Sequence, residues 1–273
     1  MSVASSSASD RLSRRLAAAM VLVPVGLGLT WAGGWPYACM IIAFGGLLGW
    51  EWARLCGVLH GRPAGCALSA GLMLLTAAAA LQQHYLAAAI AGAVFALAML
   101  LLHARRFGSR RAAWLALGVA AILPAGLALL WMRALEPGGM ALIFWLMLVV
   151  WVTDSGAYAV GRTVGGPLLA PRISPSKTWA GLAGGLTAAC AVGGLAAMAL
   201  TGSAFLPAAA AGLIVGIAGA LGDLFESHLK RTFKVKDSGG LIPGHGGVMD
   251  RLDSLLAAAP VTAILCMAGW QWL

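Results

Sequence analysis

Two acidic residues, Asp223 and Glu226, stand three positions apart near the end of an apolar stretch, with Ser227 beside the second. On a helix the i, i+3 and i+4 positions share a face, so all three side chains can address one point. An ionised side chain at the centre of a membrane-spanning helix costs about 2.5–3.5 kcal/mol on insertion scales, so such groups rarely persist without a partner or a task. Asp154 is placed in the same way at the head of an Asp-Ser-Gly-Ala-Tyr run, and Tyr158 shares its helical face. For both aspartates the bland alternative is interhelical hydrogen bonding. Glu51, between Trp50 and Trp52 at the end of another apolar block, is explained as well by interfacial snorkelling as by function.

Two polar segments accompany these acids. The first, Arg172-Ile-Ser-Pro-Ser-Lys-Thr-Trp179, sets the hydroxyls of Ser174 and Thr178 and the point charge of Lys177 before an apolar block. With the unpaired N–H groups of a helix start, that combination suits a phosphate. A capped helix start beside a membrane-flanking lysine has the same signature. The second segment, Ser227 to Asp253, carries Lys230 and Lys234 on one helical face, then Lys236 and Asp237. Five glycines follow between Gly239 and Gly247, around Pro243 and His245. Such a run lets backbone approach a ligand closely, and equally serves as a linker. Asp250 and Asp253 then share one face at the start of the last apolar block, where carboxylates also act as caps. Acids at both ends with cations between them are what a nucleotide–metal site requires. Magnesium takes hard oxygen ligands, typically one or two carboxylates plus substrate phosphates. His245 has no ligand partner at regular spacing, and reads as a turn or phosphate contact rather than a metal ligand.

The elements that must position these groups are membrane helices. The 273-residue chain is 61% apolar and 10% charged, whereas a soluble domain carries roughly 25% charged residues. Nine apolar blocks, at about 16–33, 36–54, 65–82, 85–103, 112–132, 139–160, 178–200, 206–227 and 254–272, are each long enough to cross a hydrocarbon core about 30 Å thick. The fold class expected is all-α, a polytopic integral membrane protein of about nine transmembrane helices. The first block follows Arg14 and Arg15 but is too long for a signal peptide and reads as a retained anchor. With the N-terminus cytoplasmic, 17 of the 18 Lys and Arg fall on the cytoplasmic side and only Arg133 on the other. The net charge of +9 is therefore topogenic rather than a nucleic-acid signature. Trp31, Trp35, Trp50, Trp52, Trp131, Trp270 and Trp272 stand near span ends, as interfacial indoles do. Pro24, Pro124 and Pro260 interrupt three spans. The five cysteines form no metal or disulfide pattern. The chain divides into a disordered tail over 1–15, about five N-terminal transmembrane helices over 16–135, and a catalytic region over 136–273. That region has about four helices, with cytoplasmic loops at 161–178 and 228–253.

The chain resembles the phosphatidate cytidylyltransferase family, also called CDP-diacylglycerol synthases. The family hallmark is S-x-hydrophobic-K-R, four residues, K-D, a Gly-rich stretch with P-x-H-G-G, and D-R-hydrophobic-D. It stands here as Ser227-His-Leu-Lys-Arg231, Lys236-Asp237, Pro243-Gly-His-Gly-Gly247 and Asp250-Arg-Leu-Asp253, 27 residues with every fixed position present. The Gly222–Ser227 run and the Trp179 segment extend the resemblance over most of the C-terminal half. The N-terminal half matches mainly in hydropathy and in Trp50-Glu-Trp-Ala-Arg-Leu55. Ser176 and Ala180 depart from the family's upstream S-P-K-K-T-W-E-G, replacing a lysine and a glutamate.

The resemblance implies transfer of the cytidylyl group of CTP to phosphatidate, giving CDP-diacylglycerol and pyrophosphate for phospholipid biosynthesis. It implies a multi-pass protein of the bacterial inner membrane, with the active site facing the cytoplasm. Asp223 and Asp250 would hold a magnesium centre, with Glu226 as a reserve ligand and a second, monovalent ion as a further option. Asp223, Asp250 and Lys230 are the catalytic candidates. Lys230, Arg231, Lys236 and Arg251 would clamp phosphates, with Ser227, Asp237 and His245 beside them, and the Gly239–Gly247 loop would admit the triphosphate. Asp154, Ser174, Lys177 and Thr178 would line the site from the other loop. The partners implied are CTP, phosphatidate and membrane lipid, with no nucleic acid, and a homodimer is the family expectation. Two other classes compare less well. A CTP-dependent lipid kinase would release CDP, and a transporter would place polar residues at mid-span with some repeat symmetry.

Overall fold

A computed structural model of the chain describes residues 8–57, 63–241 and 246–270. Each apolar block becomes a helix: α1 (Ala8–Ala32), α2 (Gly34–Leu55), α3 (Pro63–Gln82), α4 (Tyr85–Phe107), α5 (Ser109–Arg133), α6 (Gly139–Thr163), α7 (Trp179–Thr201), α8 (Phe205–Thr232) and α9 (Met249–Met267). Among the described residues, α2 to α8 supply seven helices long and apolar enough to cross a membrane. The protein is a helical, multi-pass membrane protein. α1 adds a shorter apolar stretch, Met20–Ala32. α9 has 19 residues, about 28 Å at 1.5 Å per residue, but Asp250, Arg251 and Asp253 occupy its first five positions. The charges that shorten its apolar run are those that furnish the site.

α1 begins at Ala8, inside the stretch expected to be a disordered tail. No Gly or Pro interrupts Ala8 to Arg15, and Ser and Asp are favourable at a helix start. Pro24, Pro124 and Pro260 lie within α1, α5 and α9.

Two of the hydrophobic cores are joined through α5, α8 and α9. Leu48, Trp52, Leu68, Leu72, Leu115 and Ile122 form the first, which also takes in Leu229, Val248 and Met249 from the C-terminal part of the chain. Trp145, Leu146, Val149, Ala189, Val215 and Ala259 belong to the second. α5 contributes Leu115 to Leu127 to one and Ala125 to Met132 to the other, so the N-terminal helices and the catalytic region are packed through it. α7 and α8 approach closely at Gly193 and Gly212, where a Cβ on Gly193 would stand 3.2 Å from the Gly212 Cα. Small residues at such crossings are how membrane helices gain packing without a hydrophobic drive.

Two expectations change. The loop at 161–178 is not wholly irregular: β1 (Leu168–Ala170) and β2 (Ser174–Thr178) pair antiparallel, Leu168 with Thr178 and Ala170 with Ser174. The pairing satisfies backbone groups beside the bundle that would otherwise need partners. Trp52 is not an interfacial indole. It is 2% exposed, its Nε1–H donates to the Trp114 carbonyl at 2.7 Å, and its ring stacks near Phe225. Two residues along a helix turn a side chain by about 200°, so Trp50 faces outward, 40% exposed, while Trp52 faces in. Trp31 and Trp35 are exposed at helix ends, Trp131 and Trp270 pack against the second core, and Trp272 lies outside the described residues.

Candidate active site

α8 and α9 run antiparallel, and this register decides which acids meet. Asp223 and Glu226 lie three residues apart on α8, and Asp250 and Asp253 lie three apart on α9. Running in opposite directions, the two pairs match first with last. Asp223, Glu226 and Asp253 therefore come together, with one carboxylate oxygen of each within 4.8 Å of the others. Gly222 permits this approach, because a Cβ there would stand 2.6 Å from the Asp253 carbonyl oxygen. Asp250 falls at the level of Glu226 and Lys230 instead. The resemblance implied Asp223 and Asp250 as the metal-holding pair, with Asp253 on the same face as Asp250; the geometry puts Asp253 beside Asp223.

Lys230 closes the outer side of the cluster. Its Nζ lies 2.6 Å from Glu226 Oε2 and 2.9 Å from Asp250 Oδ1. Asp250 also accepts the Ser238 N–H at 3.1 Å and the Gly247 N–H at 2.8 Å. It stands at the loop-to-helix junction, ahead of the apolar part of α9. Burial would raise its carboxyl, but hydrogen bonds with Lys230 and Glu226 and from the Gly247 N–H outweigh this and hold it down to about 2.

The β1–β2 hairpin brings a second cation. Lys177 Nζ on β2 is 2.5 Å from Asp223 Oδ2, with both side chains about a quarter to a third exposed. Thr178 ends β2 and caps α7, its hydroxyl accepting the Gly181 N–H at 3.0 Å. Ser174 pairs with Ala170 at the other end of the strand. Arg231 holds the hairpin to α8, with Nε–H donating to the Ile173 carbonyl at 3.2 Å. Asp154 approaches from α6 and accepts the Ser254 hydroxyl at 3.3 Å. Tyr158 turns outward and its hydroxyl takes a bond from Arg162. Ser227 is half-buried on α8, and Lys236 and Asp237 are exposed on the segment that follows it. Arg251 is exposed in the first turn of α9. His245 and Pro243 lie outside the described residues.

Glu51 is the residue whose role the sequence left undecided. It does not snorkel. It is 1% exposed and reaches from α2 to the start of α9, accepting the N–H groups of Val248 at 2.9 Å and Met249 at 2.8 Å. A single glutamate between two tryptophans at a span end carries no sign of a partner nearly two hundred positions away.

Beside the carboxylates lies an apolar cavity of about 550 Å³ between α1, α2, α5, α6 and α9. Asp154, Ser254 and Arg251 are at one end; Thr30, Tyr37 and Leu129 line the other. From Ile143 to Asp154, both in its wall, α6 rises about 16 Å. The cavity is walled mainly by apolar side chains, with the charged groups of Asp154 and Arg251 among its lining.

Like charges this close inside a bundle need a counter-charge, and two lysines already turn towards them. A charged centre of this kind, opening on an apolar cavity among spanning helices, defines a multi-pass membrane enzyme. The chain belongs to the cytidylyltransferase family, which matches residues 13–268. It is 40% identical over 268 residues to a phosphatidate cytidylyltransferase of Brucella suis, covering 95% of this chain and 94% of that one. It is 40% identical over 278 residues to the Pseudomonas aeruginosa phosphatidate cytidylyltransferase, covering 95% and 98%. With the Bacillus subtilis phosphatidate cytidylyltransferase it shares 43% identity over 129 residues, 47% of this chain and 48% of the other.

Proposed function

We propose that this protein is a phosphatidate cytidylyltransferase, transferring the cytidylyl group of CTP to phosphatidate to form CDP-diacylglycerol and pyrophosphate. The observation that carries the reading is the convergence of Asp223, Glu226 and Asp253 next to Ser254, which with Asp154 and Arg251 lines the apolar cavity. A lipid phosphate and a nucleotide triphosphate can meet there, one arriving along the bundle and the other from water. In this reading an acyl chain of phosphatidate occupies the cavity and Arg251 receives its phosphate.

The nucleophile is an oxygen of the phosphatidate monoester, largely ionised near neutral pH, so no strong general base is needed. A new bond forms from that oxygen to the α-phosphorus of CTP, and the bond between the α-phosphorus and the bridging oxygen to the β-phosphate breaks. The electron pair leaves with pyrophosphate. Catalysis then rests on alignment and on neutralising charge. Three carboxylates with oxygens within 4.8 Å fit a hard divalent cation, and we assign Asp223, Glu226 and Asp253 as the residues that would hold magnesium. Neutralisation of charge at the reacting phosphates is what that ion supplies when bound. Lys230, fixed by Glu226 and Asp250, and Lys177, beside Asp223, bring their ammonium groups to the acidic cluster. Nine spans with a cytoplasmic N-terminus would put this end of the bundle on the cytoplasmic face of a bacterial inner membrane, where CTP is available.

Purified protein supplied with phosphatidate, magnesium and CTP labelled in the cytidine ring should move the label into the lipid phase. Label that stays in the aqueous phase, under conditions where a relative works, would sink the assignment.

A further inference from the structure

α9 begins without a capping side chain of its own. The first N–H groups of any helix lack intrahelical acceptors and need outside ones, the more so when buried. Asp250, in the first turn, is committed to Lys230, Ser238 and Gly247. The Val248 and Met249 N–H groups are taken instead by Glu51, one on each carboxylate oxygen. Glu51 Oε2 also receives the Ser238 hydroxyl at 3.4 Å.

Two carboxylates from different helices thus grip the same crossing of backbone. Asp250 takes the Ser238 and Gly247 N–H groups, and Glu51 takes the Ser238 hydroxyl and the two N–H groups that follow Gly247. The crossing has no room for side chains. A Cβ on Gly247 would stand 2.7 Å from Glu51 Oε1, and one on Gly239 would stand 3.3 Å from the Gly247 Cα while pressing on the Glu51 carboxylate. A buried anion at the positive end of α9 is also favoured by the helix dipole.

We propose that Glu51 is a positioning residue for the reaction: from α2 it docks the first turn of α9, so that Asp253 meets Asp223 and Asp250 meets Lys230. The N-terminal helices, which supply none of the clustered acids, thereby complete the site. The proposal rests on the assignment of Asp223, Glu226 and Asp253 as cation ligands. Glu51→Gln keeps the size but replaces one acceptor oxygen with an NH₂ group that faces an N–H donor. The first turn of α9 should loosen and the acids spread.

The test uses full-length purified protein and two readouts. Hydrogen exchange at residues 248 and 249, without added metal, should accelerate about tenfold or more in Glu51→Gln, as expected for loss of a hydrogen bond to a charged acceptor. The magnesium concentration at the midpoint of thermal stabilisation should rise about tenfold, the usual scale for removing a group that orients ligands. Ser238→Ala, which removes only the hydroxyl, should move that midpoint the same way by about twofold to threefold, and it decides the matter if Glu51→Gln does not fold. Unchanged exchange at 248 and 249, or an unmoved midpoint in the folded variant, overturns the proposal. If Glu51→Gln shows both effects while the wild-type protein makes no CDP-lipid, the functional reading is refuted and this one stands.

Discussion

A carboxylate oxygen of Asp253 on α9 lies within 4.8 Å of one on Asp223 on α8. The antiparallel course of the two helices brings these acids together across the bare surface of Gly222, and Asp250 is left facing Lys230. The proposed roles of the two C-terminal aspartates separate accordingly: Asp253 would help hold the cation, and Asp250, bonded to Lys230 and to the Ser238 and Gly247 N–H groups, would orient Lys230 and the start of α9.

Asp253→Asn should therefore be as damaging as Asp223→Asn. Each should lower turnover by at least about a hundredfold, the scale on which an electrostatic element of a transition state is lost. Both variants should elute as folded protein. Steady-state assays checked against elution profiles would show this, and an Asp253→Asn enzyme with near-wild-type turnover would remove that residue from the centre.

Removal of divalent ions by chelation should abolish turnover, and magnesium should restore it. Binding also stabilises the folded state, by about 2.7 kcal/mol at a ligand concentration a hundred times Kd. Thermal melting should accordingly shift upward with magnesium in the wild type and not in Asp253→Asn. A shift of equal size in both would place the ion elsewhere.

Lys177 is partly exposed, so its ion pair with Asp223 contributes little to stability, about 1 kcal/mol or less. Lys177→Gln should melt close to wild type while losing turnover by about tenfold or more, since in the proposed reaction its charge would offset that of the reacting phosphates. Loss of stability with full activity retained would make Lys177 a structural residue.

The deep end of the cavity should set acyl-chain preference. Leu129 lines it beside Tyr37, whose hydroxyl donates to the Leu129 carbonyl. Leu129→Trp should raise KM for long-chain phosphatidate by about tenfold or more, because overpacking costs about 1–3 kcal/mol, and leave a short-chain substrate within about twofold. Equal effects on both chain lengths would place the lipid elsewhere.

Much of this was legible in the residues themselves. The apolar blocks marked the nine helices found among the described residues, seven of them long and apolar enough to cross a membrane, because a run near 20 residues long leaves a chain in lipid few choices but a helix. The i, i+3 spacing of Asp223 and Glu226 placed two of the three clustered acids on one face. What was hidden depended on other helices. Asp253 could be chosen over Asp250 only once the register of α9 against α8 was known, although two acid pairs with the same spacing on antiparallel neighbours were a usable signal. Trp52 read as interfacial and Glu51 as either interfacial or functional, since residues at a span end look alike whether they turn to lipid or to a partner. The β1–β2 hairpin has strands of three and five residues and a proline in the second, too little pattern to distinguish from a loop.

The bond broken in CTP distinguishes cytidylyl transfer from phosphoryl transfer. Purified protein given CTP, phosphatidate and magnesium should release pyrophosphate in amounts equal to the CDP-diacylglycerol formed. Release of CDP with a phosphorylated lipid, or no nucleotide product at all, would contradict it.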